Sequence, residues 1–581
     1  MFARGTLALA LLGAGTVQAS AQSPELYSGM HWRSIGPVRA GRARALAGVP
    51  TQPNVFYIGF DNGGVWRSTD YGSTWEPLFD HEPTGSIGAI AVSLSDPNII
   101  YVGTGAGIIR PDLATGNGVY KSTDAGKTWV HLGLDDTQMI ASIDIDPRDP
   151  NRLFVAVLGH PYGPNAERGV FRSTDGGRSF QKVLYKDEYT SANEVRIDPS
   201  DPNTLYATLW EQQQSFIEGG GFGSAGTGLY KSTDGGTTWR QLSEGLPPVL
   251  QANLAIAPSN PRLLYAIVAP AAAAGARPGA IGFYKSTDAG EHWSLVARDG
   301  RPSDNRPLAR IGGGDLPTVV VDPKNPDVVY SSSVVMWRTE DGGMTWSAVR
   351  GAPGGDDYQK TWINPNNPDI ILTVADQGGV ISANRGKSWS NWYTQPTAAV
   401  YHVTTDNAFP YRVCSGQQDS GSACVDSRSM DGQITFHDWH PVNIQEYGIA
   451  APDPRNPDLV FGSQRGNVSL YNRKTGQTTL LGPDMTARGP NGEAYNRNVR
   501  TMPIHWSPVN PDVLFYVSNA VWKTTDRGHS WSRISPDLAR QTWTVPANAG
   551  KYAASVTPAP LGTITAPAVA PGPQGALGRH R

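Results

Sequence analysis

An eight-residue phrase that recurs along the chain limits what the chain can fold into. Its first copy is Ser68-Thr69-Asp70-Tyr71-Gly72-Ser73-Thr74-Trp75. The aspartate of the phrase recurs at the same place in each copy, at Asp70, Asp124, Asp175, Asp234, Asp288, Asp341 and Asp526. In one further copy, Asn384 replaces it. A repeat with this period predicts one supersecondary unit stacked many times over.

A second phrase, two prolines three residues apart between strand-like runs, also recurs. The second proline position falls at intervals of 42 to 65 residues, at Pro53, Pro97, Pro150, Pro202, Pro261, Pro326, Pro368, Pro410, Pro457 and Pro511, and in two copies Leu94 and Asn407 stand in place of the first proline. Because proline cannot donate to a β-ladder, we place these pairs in turns. Each unit then contains four short antiparallel strands. The sequence therefore predicts an all-β chain, a β-propeller of about ten four-stranded blades.

Ten units allow two closures, a seven-bladed first propeller followed by the start of a second, or a single ten-bladed ring. The first closure divides the chain into residues 22–395 and 396–545. Residues 546–581 form either an aborted next repeat or a disordered tail rich in Ala, Pro and Gly. The run 562–571 resembles the first strand of an eleventh unit, which favours a chain truncated from a longer parent and the seven-plus-three arrangement.

The first 21 residues have the pattern of a cleavable signal peptide, with Arg4, a short apolar run and the small-x-small site Ala19-Ser20-Ala21. We therefore expect a secreted or periplasmic protein, and no later run is long and apolar enough for a membrane span. A net charge of -3 without a basic patch argues against nucleic acid as a partner.

Two cysteines, Cys414 and Cys424, flank the turn Gln417-Gln418-Asp419-Ser420-Gly421. In an exported chain they could pair across a hairpin, and the alternative is two buried free thiols. Neither cysteine has a second ligand at zinc spacing, the histidines are scattered, and no phosphate loop or dinucleotide fingerprint occurs. We expect no metal and no cofactor.

The first phrase resembles the Asp-box, or bacterial neuraminidase repeat, of sialidases, sortilin and xyloglucan-degrading glycoside hydrolases. In such a turn the aspartate accepts backbone N–H groups and glycine supplies a positive φ, so we assign a structural role to the seven repeated aspartates. A sialidase is disfavoured because its arginine signature is missing. Arg39, Arg42 and Arg44 are interpreted as loop charges, with contact to an anionic ligand as the alternative.

Candidate catalytic acids come from the loops between second and third strands, namely Asp61, Asp376 and Asp419. If seven blades close a ring, units 1 and 7 are neighbours and these acids can meet beside the second ring. Paired carboxylates suit inverting glycoside hydrolysis. The alternative role for Asp61 and Asp376 is to cap their own turns.

From about residue 35 to 538 the chain also resembles a large family of exported bacterial proteins labelled glycosyl hydrolase-like or sortilin N-terminal domain-like, on segments such as 401–407, 417–421 and 531–538. More distantly, 57–67 resembles the xyloglucanase strand and loop that carry the catalytic base, which places the base at Asp61. In that family the acid lies at the start of the second propeller, where 399–405 offers Tyr401 and His402 but no carboxylate.

These observations favour an exported propeller that binds glycan or polypeptide at its loop face, without a complete recognisable catalytic set. The alternative is a xyloglucanase-like, inverting glycoside hydrolase that cleaves a polysaccharide between two propellers. The enzyme assignment therefore stays open between the two. An assembly or scaffold role in the cell envelope is the third possibility.

Overall fold

The computed structural model describes residues 23–108, 114–214, 219–222, 224–271, 280–298, 318–464, 466–483, 496–498, 501–540, 563–564, 566–569 and 576–579. The predicted signal peptide, residues 1–21, lies outside these ranges. The chain divides into residues 1–35 and 36–581. In the first unit, a 3-10 helix spans Pro24–Tyr27. Ser23 caps its N-terminus, and the Ser23 side chain accepts the Glu25 N–H.

Residues 36–581 fold into consecutive antiparallel sheets, so the chain is an all-β propeller protein. Sheets 1 to 4 contain β1 (Ala43–Val49), β2 (Gln52–Phe60), β3 (Gly64–Ser68), β4 (Glu76–Pro77), β5 (Ile87–Val92), β6 (Ile100–Thr104), β7 (Val119–Ser122), β8 (Val130–Gly133), β9 (Ile140–Ile145), β10 (Leu153–Val157), β11 (Gly169–Ser173), β12 (Gln181–Leu184), β13 (Thr190–Ile197), β14 (Leu205–Gln214), β15 (Gly219–Phe222), β16 (Gly228–Ser232) and β17 (Arg240–Leu242). Sheets 5 to 7 contain β18 (Val249–Ile256), β19 (Leu264–Pro270), β20 (Gly282–Ser286), β21 (Ser294–Arg298), β22 (Thr318–Val321), β23 (Val329–Ser332), β24 (Met336–Thr339), β25 (Ser347–Arg350), β26 (Tyr358–Ile363), β27 (Ile371–Ala375) and β28 (Gly378–Ser382).

Three further sheets and a hairpin follow. They contain β29 (Thr404–Thr405), β30 (Arg412–Ser415), β31 (Ala423–Asp426), β32 (Trp439–Pro441), β33 (Ala450–Pro452), β34 (Leu459–Gln464), β35 (Asn467–Asn472), β36 (Gln477–Leu480), β37 (Ile504–Trp506), β38 (Leu514–Val517), β39 (Val521–Thr524), β40 (Ser532–Arg533), β41 (Ala566–Val569) and β42 (Ala576–Arg579). Short 3-10 helices span Asp135–Thr137, Trp392–Thr394 and Phe436–Asp438. Within the described ranges, no helix is long and apolar enough to cross a membrane.

Two sheets depart from the predicted four strands. Sheet 4 has a fifth strand, β15, paired with β14. Sheet 7 has three strands, because Ser390 takes the place of a fourth: its N–H donates to Ile381 O at 2.7 Å and its hydroxyl accepts the Ile381 N–H at 2.9 Å.

The proline pairs occupy the turn between the first and second strands of the repeat. In sheet 3, Asp146 N–H donates to Arg152 O at 2.9 Å, and the Asp146 carboxylate accepts the Arg148 N–H. The same backbone bond over six residues recurs at Ser93–Ile99, Asp198–Thr204, Ala257–Leu263, Asp322–Val328, Asn364–Ile370, Asp406–Arg412, Asp453–Leu459 and Ser507–Val513. One local turn therefore shapes most of the units.

The repeated aspartate binds its own turn between the third and fourth strands. In sheet 2, Asp124 accepts the Thr128 N–H at 2.9 Å, the Thr128 hydroxyl at 2.6 Å and the Ser122 hydroxyl at 2.7 Å. These bonds lower the pKa of Asp124 to about 2. Trp129, which follows, donates its indole N–H to Leu78 O of sheet 1 at 2.8 Å, so the turn also joins neighbouring sheets.

Sheet 7 packs against sheet 1. Phe56 and Ile58 of β2 share a buried cluster with Leu372 and Val374 of β27, and the Trp362 ring meets Phe56 edge-on at 6.2 Å between centroids. The first strands of all seven sheets line one channel of about 400 Å³. Sheets 1 to 7 therefore close a ring.

Sheets 8 to 10 follow this ring. Cys414 of β30 and Cys424 of β31 face each other in register and form a disulfide. Near the end of the chain, Ile564 packs against Val517 and Val521 of sheet 10. Farther along the chain, β41 and β42 pair as an antiparallel hairpin.

Candidate active site

The three candidate acids occupy the same place in three different sheets. Asp61 follows β2 in sheet 1, Asp376 follows β27 in sheet 7, and Asp419 lies between β30 and β31 in sheet 8. Each therefore stands in the turn between second and third strands, as the sequence predicts. Because sheet 7 packs on sheet 1, these turns meet at one seam.

Arg42, just before β1, lies among the three carboxylates. Its Nε donates to Asp376 Oδ1 at 2.8 Å and its Nη2 to Asp376 Oδ2, a bidentate pair. The Nε also lies 3.7 Å from Asp61 Oδ2, and Nη2 lies 3.8 Å from Asp419 Oδ2. One buried guanidinium thus brings together three acids from distant parts of the chain. The two that are farthest apart in sequence, Asp61 and Asp419, are separated by 358 positions. A planar guanidinium can present its donors to several carboxylates in this way.

A second layer of polar groups fixes Asp376. The Gln359 side-chain amide donates to Asp376 Oδ1 at 2.9 Å, and Gln359 in turn accepts from Arg44 Nη1. Arg44 also donates from Nε to Gly107 O at 3.2 Å. All three side chains are buried, so Asp376 is held from two sides and has little freedom to move.

Asp419 differs from its partners in exposure and in protonation. Its side chain is 20% exposed, against 5% for Asp61 and 1% for Asp376. Burial, followed by the negative charge of Asp376, raises the pKa of Asp419 to about 9, although Arg42 opposes the shift. A pKa raised in this way favours the protonated form of Asp419 at neutral pH.

A cavity of about 420 Å³ opens beside this cluster. Its wall includes Arg42, Asp61, Tyr401 and Gln418, and the Tyr401 hydroxyl donates to Gln418 Oε1 at 2.6 Å. Tyr401 also meets Tyr447 at 4.8 Å between ring centroids. The cavity therefore combines a carboxylate with an aromatic side chain, a combination that suits a sugar ring.

The three arginines near the first strand are not loop charges, and that interpretation is wrong. Arg39, Arg42 and Arg44 are each less than 9% exposed, and each binds another part of the protein. The acceptors of their side-chain hydrogen bonds lie more than 60 residues away along the chain, so neither local spacing nor composition marks the three arginines as buried.

The seven repeated aspartates lie outside the cavity wall, and each carboxylate accepts hydrogen bonds from its own turn. The pKa of Asp175, Asp234, Asp341 and Asp526 falls to about 2 for this reason, and that of Asp70 and Asp288 is also lowered. In the part of the chain that the structure describes, no group of three His, Cys, Asp or Glu residues is arranged to hold a metal ion.

Comparison with known proteins relates the chain to a specific group of propeller enzymes. A family model described as sortilin, neurotensin receptor 3, matches residues 117–249. The xyloglucanase Xgh74A of Acetivibrio thermocellus is 26% identical over 334 residues, covering 52% of this chain and 37% of the relative. A probable oligoxyloglucan-reducing end-specific xyloglucanase of Neosartorya fischeri is 24% identical, covering 66% of this chain and 49% of the relative.

The fold likeness is wider than the sequence likeness. The crystal structure of an ancestral GH74 enzyme superimposes with a TM-score of 0.60 at 20% identity, covering 90% of this chain and 73% of that one. This likeness shows the propeller fold. The chain spans less than half the length of the two xyloglucanases compared above.

Proposed function

We propose that the chain is a glycoside hydrolase that cleaves a β-glucan of the xyloglucan class. The observation that carries the proposal is the convergence of Asp61, Asp376 and Asp419 on Arg42, beside a cavity that Asp61 lines. The relatives named as xyloglucanases supply the substrate class. They support a hydrolase better than a propeller that only binds its ligand.

The distances are compatible with an inverting reaction. Asp61 and Asp419 approach the same guanidinium at 3.7 and 3.8 Å, so their nearest oxygens are at most about 10 Å apart, a limit that admits the 6.5 to 9.5 Å separation of inverting enzymes. In such enzymes one carboxyl group donates a proton and the other activates water.

Asp419 is the proposed general acid, because it keeps its proton at neutral pH and is the most exposed of the three. It donates that proton to the glycosidic oxygen as the bond to the anomeric carbon breaks. Asp61, next to the positive charge of Arg42, is the proposed base. It accepts a proton from the water that bonds to the anomeric carbon on the opposite face. Solvent then reprotonates Asp419 and deprotonates Asp61.

In this scheme, Asp376 transfers no proton itself and instead supports the two proposed catalytic acids. Its negative charge holds the proton on Asp419, and its bidentate bond fixes Arg42 between the catalytic pair. Tyr401 is placed to stack against a sugar ring bound in the cavity.

Reducing-end release from xyloglucan tests the proposal. Asp419→Asn and Asp61→Asn should each lower kcat by about 100-fold or more, since each removes one proton-transfer group. Asp431→Asn changes an exposed aspartate of the same sheet and should leave kcat unchanged. The anomeric product signal in proton NMR should show inversion. Full activity in both Asn variants would end the proposal.

Ligand binding without cleavage is the second candidate. It is favoured by the burial of Asp61, whose side chain is only 5% exposed. Polysaccharide or polypeptide that binds the wild-type chain, with no product formed over a day, would support this alternative.

A further inference from the structure

Arg39 lies three residues before Arg42, in a segment that joins the seven-sheet ring to sheet 8. Its N–H donates to Thr397 O at 3.2 Å, and the next residue, Ala40, forms a parallel bridge with Ala398. Residues 39–41 therefore run beside 397–399, the stretch that leads from sheet 7 into sheet 8. Arg39 itself is 8% exposed.

The Arg39 guanidinium reaches across this segment and binds sheet 8. Its Nη2 donates to Ser420 O. Its Cζ lies 4.8 Å from the ring centroid of Trp439, the first residue of β32, and 5.8 Å from that of Tyr393 in the 3-10 helix after sheet 7. The guanidinium cation thus contacts one aromatic ring next to sheet 7 and one aromatic ring in sheet 8.

The loop that Arg39 binds is the one that carries Asp419. Ser420 directly follows Asp419, whose backbone has a φ of 55°, in the left-handed region that residues other than glycine rarely adopt. Such a conformation persists only when surrounding contacts hold it. Among those contacts are the Arg39 bond to Ser420 O and the Gln418 N–H bond to Ala399 O at 3.0 Å.

We infer that Arg39 is a positioning residue for the general acid, holding the 417–421 loop so that Asp419 stays against Asp376 and Arg42. The inference rests on the proposed function for its catalytic consequence and on the contacts above for its structural one. Arg39 stands apart from the reacting atoms and acts through the loop. Its planar fork and its stacking between two rings are properties that lysine does not share.

Loss of this contact should change the protonation of Asp419 as well as its place. The charged groups that face Asp419 are Asp376 and Arg42 from the ring and Glu446 from the segment between β32 and β33. A loop released from Arg39 moves Asp419 toward water and away from Asp376. Both effects return its pKa toward the ordinary range for aspartate.

Amide hydrogen exchange and the pH profile of kcat, measured together, test the inference. In Arg39→Ala, amides of 417–422 should exchange about 10-fold faster or more, since local opening becomes easier. The alkaline limb of kcat should move down by about 1 pH unit or more, with kcat reduced and KM changed by less than about two-fold. Arg39→Lys should restore neither property.

Arg350→Ala is the matched control, because Arg350 stacks on two rings in the same way, but its rings, Trp389 and Trp392, both lie in the chain before sheet 8. It should leave 417–422 exchange and the alkaline limb unchanged. Unchanged exchange at 417–422 in a folded Arg39→Ala protein would overturn the inference. If Arg39→Ala does not fold, Arg39→Gln takes its place in both measurements.

The outcome separates the inference from the proposed function. If wild-type protein releases no reducing ends, the proposed hydrolase fails. Exchange at 417–422 and the NMR titration of Asp419 then decide the role of Arg39 by themselves. Faster exchange with a lowered Asp419 pKa would still support a positioning role, and no change in either would contradict it.

Discussion

Arg42 Nε and Asp376 Oδ1 lie 2.8 Å apart although 334 positions separate them in the chain. Both side chains are at most 5% exposed. A charge pair this deep in the protein is costly to break, because removing one partner leaves the other desolvated and uncompensated. The pair joins the segment before the first sheet to the seventh sheet, so it ties the chemistry of the site to closure of the ring.

Substitution of Arg42 should therefore destabilise the protein strongly. We expect Arg42→Gln to lower the free energy of unfolding at pH 7 by about 3 kcal/mol or more, measured by urea denaturation. The double variant Arg42→Gln with Asp376→Asn should lose clearly less than the sum of the single losses, since no buried charge is then left from this pair. Additive losses would contradict the buried-pair account.

Gly48 provides a second probe of the seam between sheets 1 and 7. A Cβ at Gly48 in β1 would overlap the Trp362 ring of β26. Gly48→Ala should cost about 1 to 3 kcal/mol through overpacking, and Trp362→Leu should suppress most of that cost. Gly351→Ala, whose Cβ would come no closer than 3.3 Å to the Val335 side chain, is the control. The absence of suppression would argue against packing of sheet 7 on sheet 1.

The repeated aspartate turns predict acid sensitivity. The pKa of Asp124 is about 2 in the folded protein, below its ordinary value, because Thr128 and Ser122 hydrogen-bond to the carboxylate. The stability it contributes is present above pH ~4 and is lost as pH falls through about 2. Asp124→Asn should weaken this pH dependence of the urea midpoint, with a cost of about 1 kcal/mol at pH 7.

Asn384 is a natural counterpart for that experiment. It makes the equivalent bonds, accepting the Ser388 N–H at 2.8 Å and donating to the Ser388 hydroxyl at 2.7 Å, without a titrating carboxyl group. Asn384→Asp should therefore add acid sensitivity to sheet 7 while keeping stability at pH 7 within about 1 kcal/mol. Identical acid unfolding of wild type and both variants would contradict a role for these carboxylates.

The repeated sheets could be predicted from the sequence because their determinants are local. The turn around Asp124 contains all of its own donors within four residues, and the turn from Asp146 to Arg152 closes within six. Such patterns repeat wherever the same residue types recur. The missing fourth strand of sheet 7 was not predictable in this way, because one hydroxyl, that of Ser390, replaces strand pairing there.

The candidate site was predictable only in part. Asp61, Asp376 and Asp419 could be chosen because each stands in the same loop of its unit. Their common partner could not, since Arg42 meets them only after seven sheets have closed a ring. Residues 399–405, where the family resemblance places the acid, contain Tyr401, which lines the cavity, whereas the proposed acid, Asp419, lies in the following loop. The sequence signal that points to Asp419 is that its loop corresponds to the loop of Asp61, between the second and third strands of its unit.

The titration of Asp419 tests the central claim most directly. In protein labelled with 13C at the aspartate carboxyl carbon, one resonance should titrate at about pH 9, far above the ordinary value for aspartate. Asp419→Asn should remove that resonance, and Asp376→Asn should shift its midpoint to lower pH because the neighbouring negative charge is gone. A spectrum in which every aspartate carboxyl has titrated by pH 6 would contradict the account.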